Sequence, residues 1–247
     1  MTTTGFAGGC VFADMAVICC DRHRNGEIVE MENRKNRILL PILAVLFCVT
    51  IGCWFHKTRI EIGGKIYERD IAELNLSGTS VEDVEKLAEM KYCVDLVCLD
   101  MGHMGISDYS FLEYMPNMKY LVLCGTNGTD FSALANLKEL VFLELFMTEF
   151  DQAEVLTGLT KLEDLNLGNS EIENIEPLKE MTWLKRLWLP GARKVPYAER
   201  EALQGALADT IVNFMGVGST DQGWRESPNY YAMRDLLGMG YMKGYGK

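Results

Sequence analysis

An apolar pattern that recurs about every 22 residues is the feature that most constrains the fold of this chain. In each unit, apolar residues stand at positions i, i+3 and i+5, and successive units begin 23, 24, 22, 22 and 22 residues apart. The triplets are Ile71/Leu74/Leu76, Val94/Val97/Leu99, Met118/Leu121/Leu123, Leu140/Leu143/Leu145, Leu162/Leu165/Leu167 and Leu184/Leu187/Leu189. Such regularity predicts an array of stacked repeats.

Each unit combines a strand-like half with a turn-like half. The last two residues of each triplet have a period of two, which is typical of a short strand. A second triplet follows in most units at i, i+3 and i+6, as at Phe131, Leu134 and Leu137, and this spacing indicates a helical or 3₁₀ turn. One unit cannot bury its own apolar edge, so neighbouring units are expected to share one core.

The unit from Leu162 to Leu178 shows the pattern most clearly, and it resembles the leucine-rich repeat family in its short, 22-residue, internalin-like bacterial form. The resemblance covers about residues 71–212. It implies an α/β solenoid, a horseshoe with a parallel sheet on its concave face. It leaves the binding partner open, because the family fixes a scaffold and not a ligand.

The asparagine ladder of that family is replaced in this chain. The equivalent positions hold Thr79, Gly102, Thr126, Thr148, Ser170 and Ala192. A threonine or serine hydroxyl can still bond a buried backbone turn. Gly102 and Ala192 cannot, so looser turns are expected in the second and sixth repeats.

An apolar leader precedes the repeats. Residues 38–55 form an uncharged run of 18 residues with basic residues on both sides, and a membrane helix needs about 20 apolar residues, with a lower limit near 17. Trp54 and Phe55 stand where interfacial aromatic residues are expected. Residues 31–59 are therefore predicted to be a signal anchor or transmembrane segment, and the large acidic body behind this short leader is expected to be extracytoplasmic.

The start and processing of the leader have alternatives. Met31 begins a short basic stretch of the kind that opens a secretory signal, and a start there would leave residues 1–30 untranslated. Cys53 follows Gly52 in a loose match to a bacterial lipidation box. An uncleaved helix fits the length and flanks of the run better than a lipidated Cys53.

Both ends of the repeat array carry cap-like sequences, as stacked repeats require. Residues 60–70 indicate two short strands around a Gly-Gly turn. The array with its C-terminal cap spans residues 71–215, where residues 196–208 favour a helix and residues 210–214 a last strand. Residues 216–247 form an aromatic tail, in which Ser227 and a following proline open a helix.

The composition gives no indication of a nucleic-acid, metal or catalytic site. The net charge is −11 and the pI about 4.8, which argues against nucleic acid because phosphate binding needs a basic face. His103 is the single histidine of the body, so neither a metal site nor a Ser/His/Asp set is supported. Cys98 and Cys124 are expected two positions out of step on neighbouring strands, roughly 8 Å apart, which is too far for a disulfide. We expect no cofactor, no metal and no enzymatic activity.

The concave face is predicted to be unusually apolar. Residues between the core leucines point to this face, and a solvated sheet face should be polar. The candidate binding residues are Leu96, Cys98, Tyr120, Val122, Cys124, Phe142, Glu144, Phe146, Arg186 and Trp188. Such a patch marks a contact site for a protein or peptide, or else it is covered by the aromatic tail.

The sequence thus predicts a membrane-anchored leucine-rich repeat module, held through residues 38–55, that binds a protein or peptide on its concave face. The alternative is a scaffold or regulator of the same fold that faces the cytoplasm, which free thiols would suit.

Overall fold

The computed structural model describes five stretches of the chain. They are residues 41–50, 58–62, 64–79, 87–216 and 222–240. The chain divides into two compact units, with the boundary between Phe55 and His56.

The described part of the first unit is one helical stretch, residues 41–50, whose side chains are exposed. It lies within the apolar run 38–55. Met31, Cys53 and the ends of that run are outside the described residues. Among the stretches that the structure describes, no helix is both long enough and apolar enough to cross a membrane.

The second unit begins with a hairpin of two antiparallel strands, β1 (Arg59–Ile62) and β2 (Lys65–Glu68). Ile60 and Ile62 point to one side of β1, because side chains alternate along a strand. Both are buried and belong to the main hydrophobic core. The hairpin therefore adds its apolar side to the core of the repeats that follow.

Seven short parallel strands form the main sheet, and they pair in the order in which they occur in the chain. They are β3 (Glu73–Asn75), β4 (Cys98–Asp100), β5 (Tyr120–Val122), β6 (Phe142–Glu144), β7 (Asp164–Asn166), β8 (Arg186–Trp188) and β9 (Ile211–Asn213). The predicted solenoid with a parallel sheet is confirmed.

Compact 3₁₀ turns connect the strands on the opposite side of the core. They are Ala88–Tyr92, Ser110–Tyr114, Ser132–Asn136, Ala153–Leu156 and Glu176–Glu180. The second apolar triplet of each repeat falls on these turns, where residues three apart share a side. In the final connection an α-helix, α1 (Tyr197–Ala206), takes the place of the turn.

The middle residue of each strand forms a continuous column inside the core. The column consists of Leu74, Leu99, Leu121, Leu143, Leu165, Leu187 and Val212. Its leucines are at most 3 % exposed. The column residues are 22 residues apart inside the array and 25 apart at its first and last steps.

The structure corrects the predicted register of the second repeat. There the core triplet is Leu96, Leu99 and Met101, each fully buried, whereas Val94 is 45 % exposed. Leu96 therefore lies in the main core and not on the concave face. Apolar residues crowd both sides of this strand, so the alternation that fixes register elsewhere is lost.

The last strand, β9, lies within the predicted residues 210–214. Its middle residue, Val212, pairs with Leu187. Leu207 joins the core at the end of α1, beside Leu203. The Thr210 hydroxyl donates a hydrogen bond of 2.7 Å to the Leu184 carbonyl. The helix uses more residues than a 3₁₀ turn, which explains the longer final step.

Strands β3 to β8 are each followed by a residue in the left-handed conformation, four positions after the column residue. These residues are Gly78, His103, Gly125, Met147, Asn169 and Gly191, with φ between 52° and 75°. Positive φ is uncommon outside glycine, so its recurrence at one position shows that the turn is set by the repeat rather than by the local residue.

The predicted hydroxyl ladder is present in three consecutive repeats. Thr126, Thr148 and Ser170 each donate a hydrogen bond of 2.6–2.7 Å to the carbonyl three residues earlier. With the register corrected, the ladder position of the second repeat holds Met104 and not Gly102. Met104 and Ala192 close the same turn through their backbone N–H groups alone.

The corrected register gives a direct test. Leu96→Ala should lower the free energy of unfolding by about 2–5 kcal/mol, because it leaves a cavity in the core. Val94→Ala, two residues away, should change it by less than about 0.5 kcal/mol. Chemical denaturation of the two variants measures both values, and a larger loss for Val94→Ala would restore the sequence-based register.

Candidate functional site

The concave face carries a second hydrophobic cluster, separate from the leucine core. Its members come from two parts of the chain that are far apart in sequence. The sheet supplies Cys98, Val122, Cys124, Phe142, Phe146 and Trp188, and the C-terminal part supplies Trp224, Tyr230 and Met233. All are at most 8 % exposed. The apolar patch expected from the sequence is therefore covered in this structure by the chain itself.

The cover is formed by residues 222–240, called here the C-terminal segment. It consists of a 3₁₀ turn at Trp224–Glu226 and a helix, α2 (Pro228–Leu236). Ser227 caps the helix, because its hydroxyl oxygen accepts from the N–H groups of Asn229 and Tyr230, as an N-cap serine typically does. Gly238 ends it with a φ of 62°.

The C-terminal segment runs along the sheet from its C-terminal end to its N-terminal end. Arg186 of β8 donates a hydrogen bond to the carbonyl of Gly223. The amide of Asn75 on β3 lies 3.1 Å from the sulfur of Met239. The segment thus contacts both β8 and β3, with four strands between them.

Trp224 is the aromatic centre of this contact. Its ring centroid lies 5.1 Å from that of Phe142 and 5.6 Å from that of Trp188. The Phe142 ring also lies 6.4 Å from Tyr230. Such aromatic pairs contribute about 0.5–1.5 kcal/mol each beyond the area they bury. Arg186 stacks over Trp188 at 4.7 Å and closes the cluster on one side.

Two buried carboxylates fix the polar groups of the segment. The indole N–H of Trp224 donates a 3.0 Å hydrogen bond to Oε2 of Glu144. The hydroxyl of Ser227 donates to Oδ2 of Asp164, which also accepts from the side-chain amide of Asn229 at 3.1 Å. Hydrogen bonds to charged groups are stronger than neutral ones, so these contacts set the register of the segment on the sheet.

The cover perturbs the acids beneath it. Burial raises the pKa of Asp164, and the Ser227 hydrogen bond and the charge of Arg186 oppose this shift only in part. Burial also raises the pKa of Asp100 against a hydrogen bond from the Gly102 N–H. Both carboxyls therefore hold their protons to a higher pH than they would in water.

The cysteines of this face are not activated. Burial raises the pKa of Cys98 and of Cys124 to about 12, and a protonated thiol is a poor nucleophile. His103 Nε2 lies 3.5 Å from Cys124 Sγ. Cys98 pairs with Tyr120, so it stands four positions from Cys124 along the strands instead of the two expected, and both thiols are free.

Most of the candidate binding residues lie together. Nine of them are on the concave face: Cys98, Tyr120, Val122, Cys124, Phe142, Glu144, Phe146, Arg186 and Trp188. Leu96 is in the main core, and Cys53 is outside the described residues. Within the described residues, no group of three or more His, Cys, Asp or Glu could hold a metal ion.

Sequence reasoning named Glu144 as a candidate but missed the other polar residues that hold the segment. Asp164 is 1 % exposed and Asn166 is fully buried, although both stand at positions that a solvated sheet face fills with polar residues. The sequence did place both residues on a strand next to the aromatic patch. That position could not identify their partners in the C-terminal segment, because Ser227 lies 63 residues from Asp164.

The raised pKa of Asp164 predicts a pH dependence. The folded protein binds this proton more tightly than the unfolded chain, so the contribution of Asp164 to stability is largest at low pH and is lost as the pH rises through its folded pKa. The melting temperature of wild type minus that of Asp164→Asn should therefore fall as the pH rises above about 4, the ordinary pKa of an aspartate.

Asp130 provides a control of opposite sign. Hydrogen bonds from Ser132 lower the pKa of this exposed carboxyl, so wild type minus Asp130→Asn should rise with pH over the acid range. If both differences changed in the same direction with pH, Asp164 would not be buried as described.

The comparisons with known proteins show the fold. No protein-family model matches the sequence, and no curated protein matches it. Among solved structures, the chain is similar to a leucine-rich repeat protein of Leptospira interrogans, with a TM-score of 0.52 and 23 % identity over 59 % of this chain and 38 % of that one.

Two internalins of Listeria monocytogenes are also similar. For inlF the TM-score is 0.47 and the identity 18 %, over 62 % of this chain and 53 % of that one. For internalin C2 the values are 0.45 and 22 %, over 60 % and 74 %. This chain thus spans about half the length of the inlF internalin. The similarity to the Leptospira protein agrees with the strand order, and the fold is that of a leucine-rich repeat solenoid.

Proposed function

We propose that this chain is a non-enzymatic, membrane-anchored binding module that recognises a protein or peptide on its concave face. The observation that carries the proposal is the C-terminal segment. A stretch of 19 residues lies on this face through an aromatic centre and buried polar anchors, which is how a bound peptide is held.

The composition of the face supports recognition. Trp224 is fully buried against Phe142 and Trp188, and its N–H is satisfied by Glu144. Buried tryptophans in fully desolvated pockets dominate the binding energy of protein interfaces. The concave face therefore has the chemistry of a contact site for aromatic side chains with a hydrogen-bond donor.

The electrostatics of the face favour binding over catalysis. The two thiols that could act as nucleophiles have pKa values near 12. The acids Glu144 and Asp164 accept hydrogen bonds from the segment. The two carboxylates thus hold side chains of the segment in place.

The membrane part of the proposal rests on the leader. The helical stretch 41–50 exposes large apolar side chains, among them Leu46 and Phe47, and it lies within the uncharged run 38–55. An apolar helix with an exposed surface favours insertion in a bilayer. We place the repeats on the extracytoplasmic side, because a short leader before a large body has the layout of a signal anchor.

A cytoplasm-facing scaffold or regulator of the same fold is the second candidate. It is favoured by the free thiols Cys93, Cys98 and Cys124, since unpaired cysteines are usual in a reducing compartment. Protease treatment of intact cells distinguishes the two candidates, because only an extracytoplasmic body is cleaved.

Site-specific cross-linking tests the binding face. A photoreactive phenylalanine analogue at Tyr120, on the concave face, should give an adduct with a partner in the native cells. The same analogue at Tyr114 is the matched control, because this tyrosine belongs to a 3₁₀ turn and is half exposed on the other side of the solenoid. Adducts at Tyr114 alone would contradict the proposal.

A single charged substitution in the apolar run tests membrane anchoring. Leu46→Arg should move the full chain from the membrane fraction to the soluble fraction, because an arginine at the centre of a membrane helix costs about 2.5–3.5 kcal/mol. Tyr197→Arg, at a position 74 % exposed on α1, should leave the distribution unchanged. Equal distributions for both variants would show that the run does not anchor the chain.

A further inference from the structure

We infer that the C-terminal segment is an exchangeable self-ligand, and that the partner of the concave face is a peptide that presents the same anchors in the same order. The inference rests on the proposed function and adds the chemistry of the ligand. It is carried by the composition of the two hydrophobic clusters, the unpaired polar atoms of segment and sheet, and the spacing of the anchors.

The leucine core is complete without the segment. Every buried member of the main core lies between Ile60 and Leu207, and Val212 and Phe214 pack against it from the last repeat. None of residues 222–240 belongs to that cluster. The segment therefore touches the sheet from outside, and its departure would uncover the concave face while the core stayed closed.

The contact between segment and sheet is incompletely paired. The described residues contain four buried side-chain nitrogen or oxygen atoms without a hydrogen-bond partner, and three of them belong to the covered sheet or to the segment: Nδ2 of Asn166, Nη1 of Arg225 and Nε of Arg234. Buried polar groups are normally paired. A ligand can replace the segment in such a contact, because a ligand with acceptors placed opposite these three donors would form hydrogen bonds that the segment does not form.

The covered face is acidic. Asp100, Glu144 and Asp164 are all at most 7 % exposed beneath the segment. The charge of Arg234 acts on Asp100 and that of Arg225 acts on Cys124, next to Glu144. Charge complementarity therefore favours a ligand that brings positive charge beside its aromatic anchors.

The anchors of the segment recur every three residues. Trp224, Ser227, Tyr230 and Met233 are each at most 4 % exposed, and the series ends there, because Leu236 is 42 % exposed. This spacing defines the ligand. It carries an indole, a hydroxyl three residues later that caps a short helix, and then an aromatic and an apolar side chain on the same side of that helix.

Tethering explains how the chain would keep the face closed. A ligand joined to its site by a short linker acts at an effective concentration in the millimolar range. A free peptide of the same sequence must compete with it, so the intact chain binds weakly until its own segment is loosened.

The experiment uses the full chain and a labelled synthetic peptide with the sequence of residues 222–240. Fluorescence anisotropy should show at least tenfold tighter binding of this peptide to the Trp224→Ala chain than to wild type. The Leu236→Ala chain is the matched control and should bind like wild type. A peptide that itself carries Trp224→Ala should lose its binding to the loosened chain.

Hydrogen exchange of the same proteins separates the outcomes. In Trp224→Ala we expect faster hydrogen exchange of the segment and unchanged protection of strands β4 to β8. In wild type we expect the segment to exchange faster when excess peptide is added. Loss of protection throughout the solenoid would overturn the inference, because the segment would then be an integral cap.

Two other results would also be decisive. If the segment detaches from an intact solenoid and the peptide still does not bind, the self-ligand inference is wrong, whereas the proposed binding face stands or falls by the cross-linking at Tyr120. If light scattering finds a dimer of Trp224→Ala or wild type in which segments are exchanged, the ligand is a second copy of this chain and not a separate peptide.

Discussion

The column of apolar residues at the centre of the parallel sheet is the constraint on which the rest of the structure depends. Once Leu121, Leu143 and Leu165 stand one above another, the alternation of side chains along a strand fixes which residues point away from the core. The left-handed residue and the hydroxyl ladder that follow each strand are then repeated at constant positions. The side on which a side chain of this solenoid lies thus follows from the number of residues between it and the column residue of its strand.

The same alternation creates the problem that the C-terminal segment solves. Phe142 and Trp188 are forced to the concave side by their place beside the column, where isolated aromatic rings would face water. The segment removes them from water, and the polar groups Glu144 and Asp164 lose their own hydration as a result. Hydrogen bonds from Trp224 and Ser227 compensate for this loss, so apolar and polar contacts on the face are coupled.

The elements that depend on the local spacing of apolar residues were predicted correctly from the sequence. The register was predicted wrongly where that spacing fits two alignments. The solenoid, the strands of the central repeats and the Thr126 hydroxyl turn follow from spacings within one unit. The second repeat was misplaced because Val94, Leu96 and Val97 offer two apolar alternations. The contact of Trp224 with Glu144 joins residues 80 apart, and no local pattern encodes such a pairing. The face was therefore predicted as a patch that includes Glu144, but the residues of the C-terminal segment that contact it were not predicted.

The C-terminal segment contacts two strands near opposite ends of the sheet, so its contacts depend on the number of repeats between them. Its contacts at Arg186 and Asn75 are separated by five strand spacings, about 24 Å at 4.8 Å each, and α2 covers only part of that distance. Duplication of one central 22-residue unit would preserve the stacked core and lengthen the sheet by one strand. The two contacts would then lie one strand spacing, about 4.8 Å, farther apart, so the segment would have to change its present conformation to reach both. Growth by repeat duplication, the usual route of size change in solenoids, is therefore restricted here by a part of the chain outside the repeats.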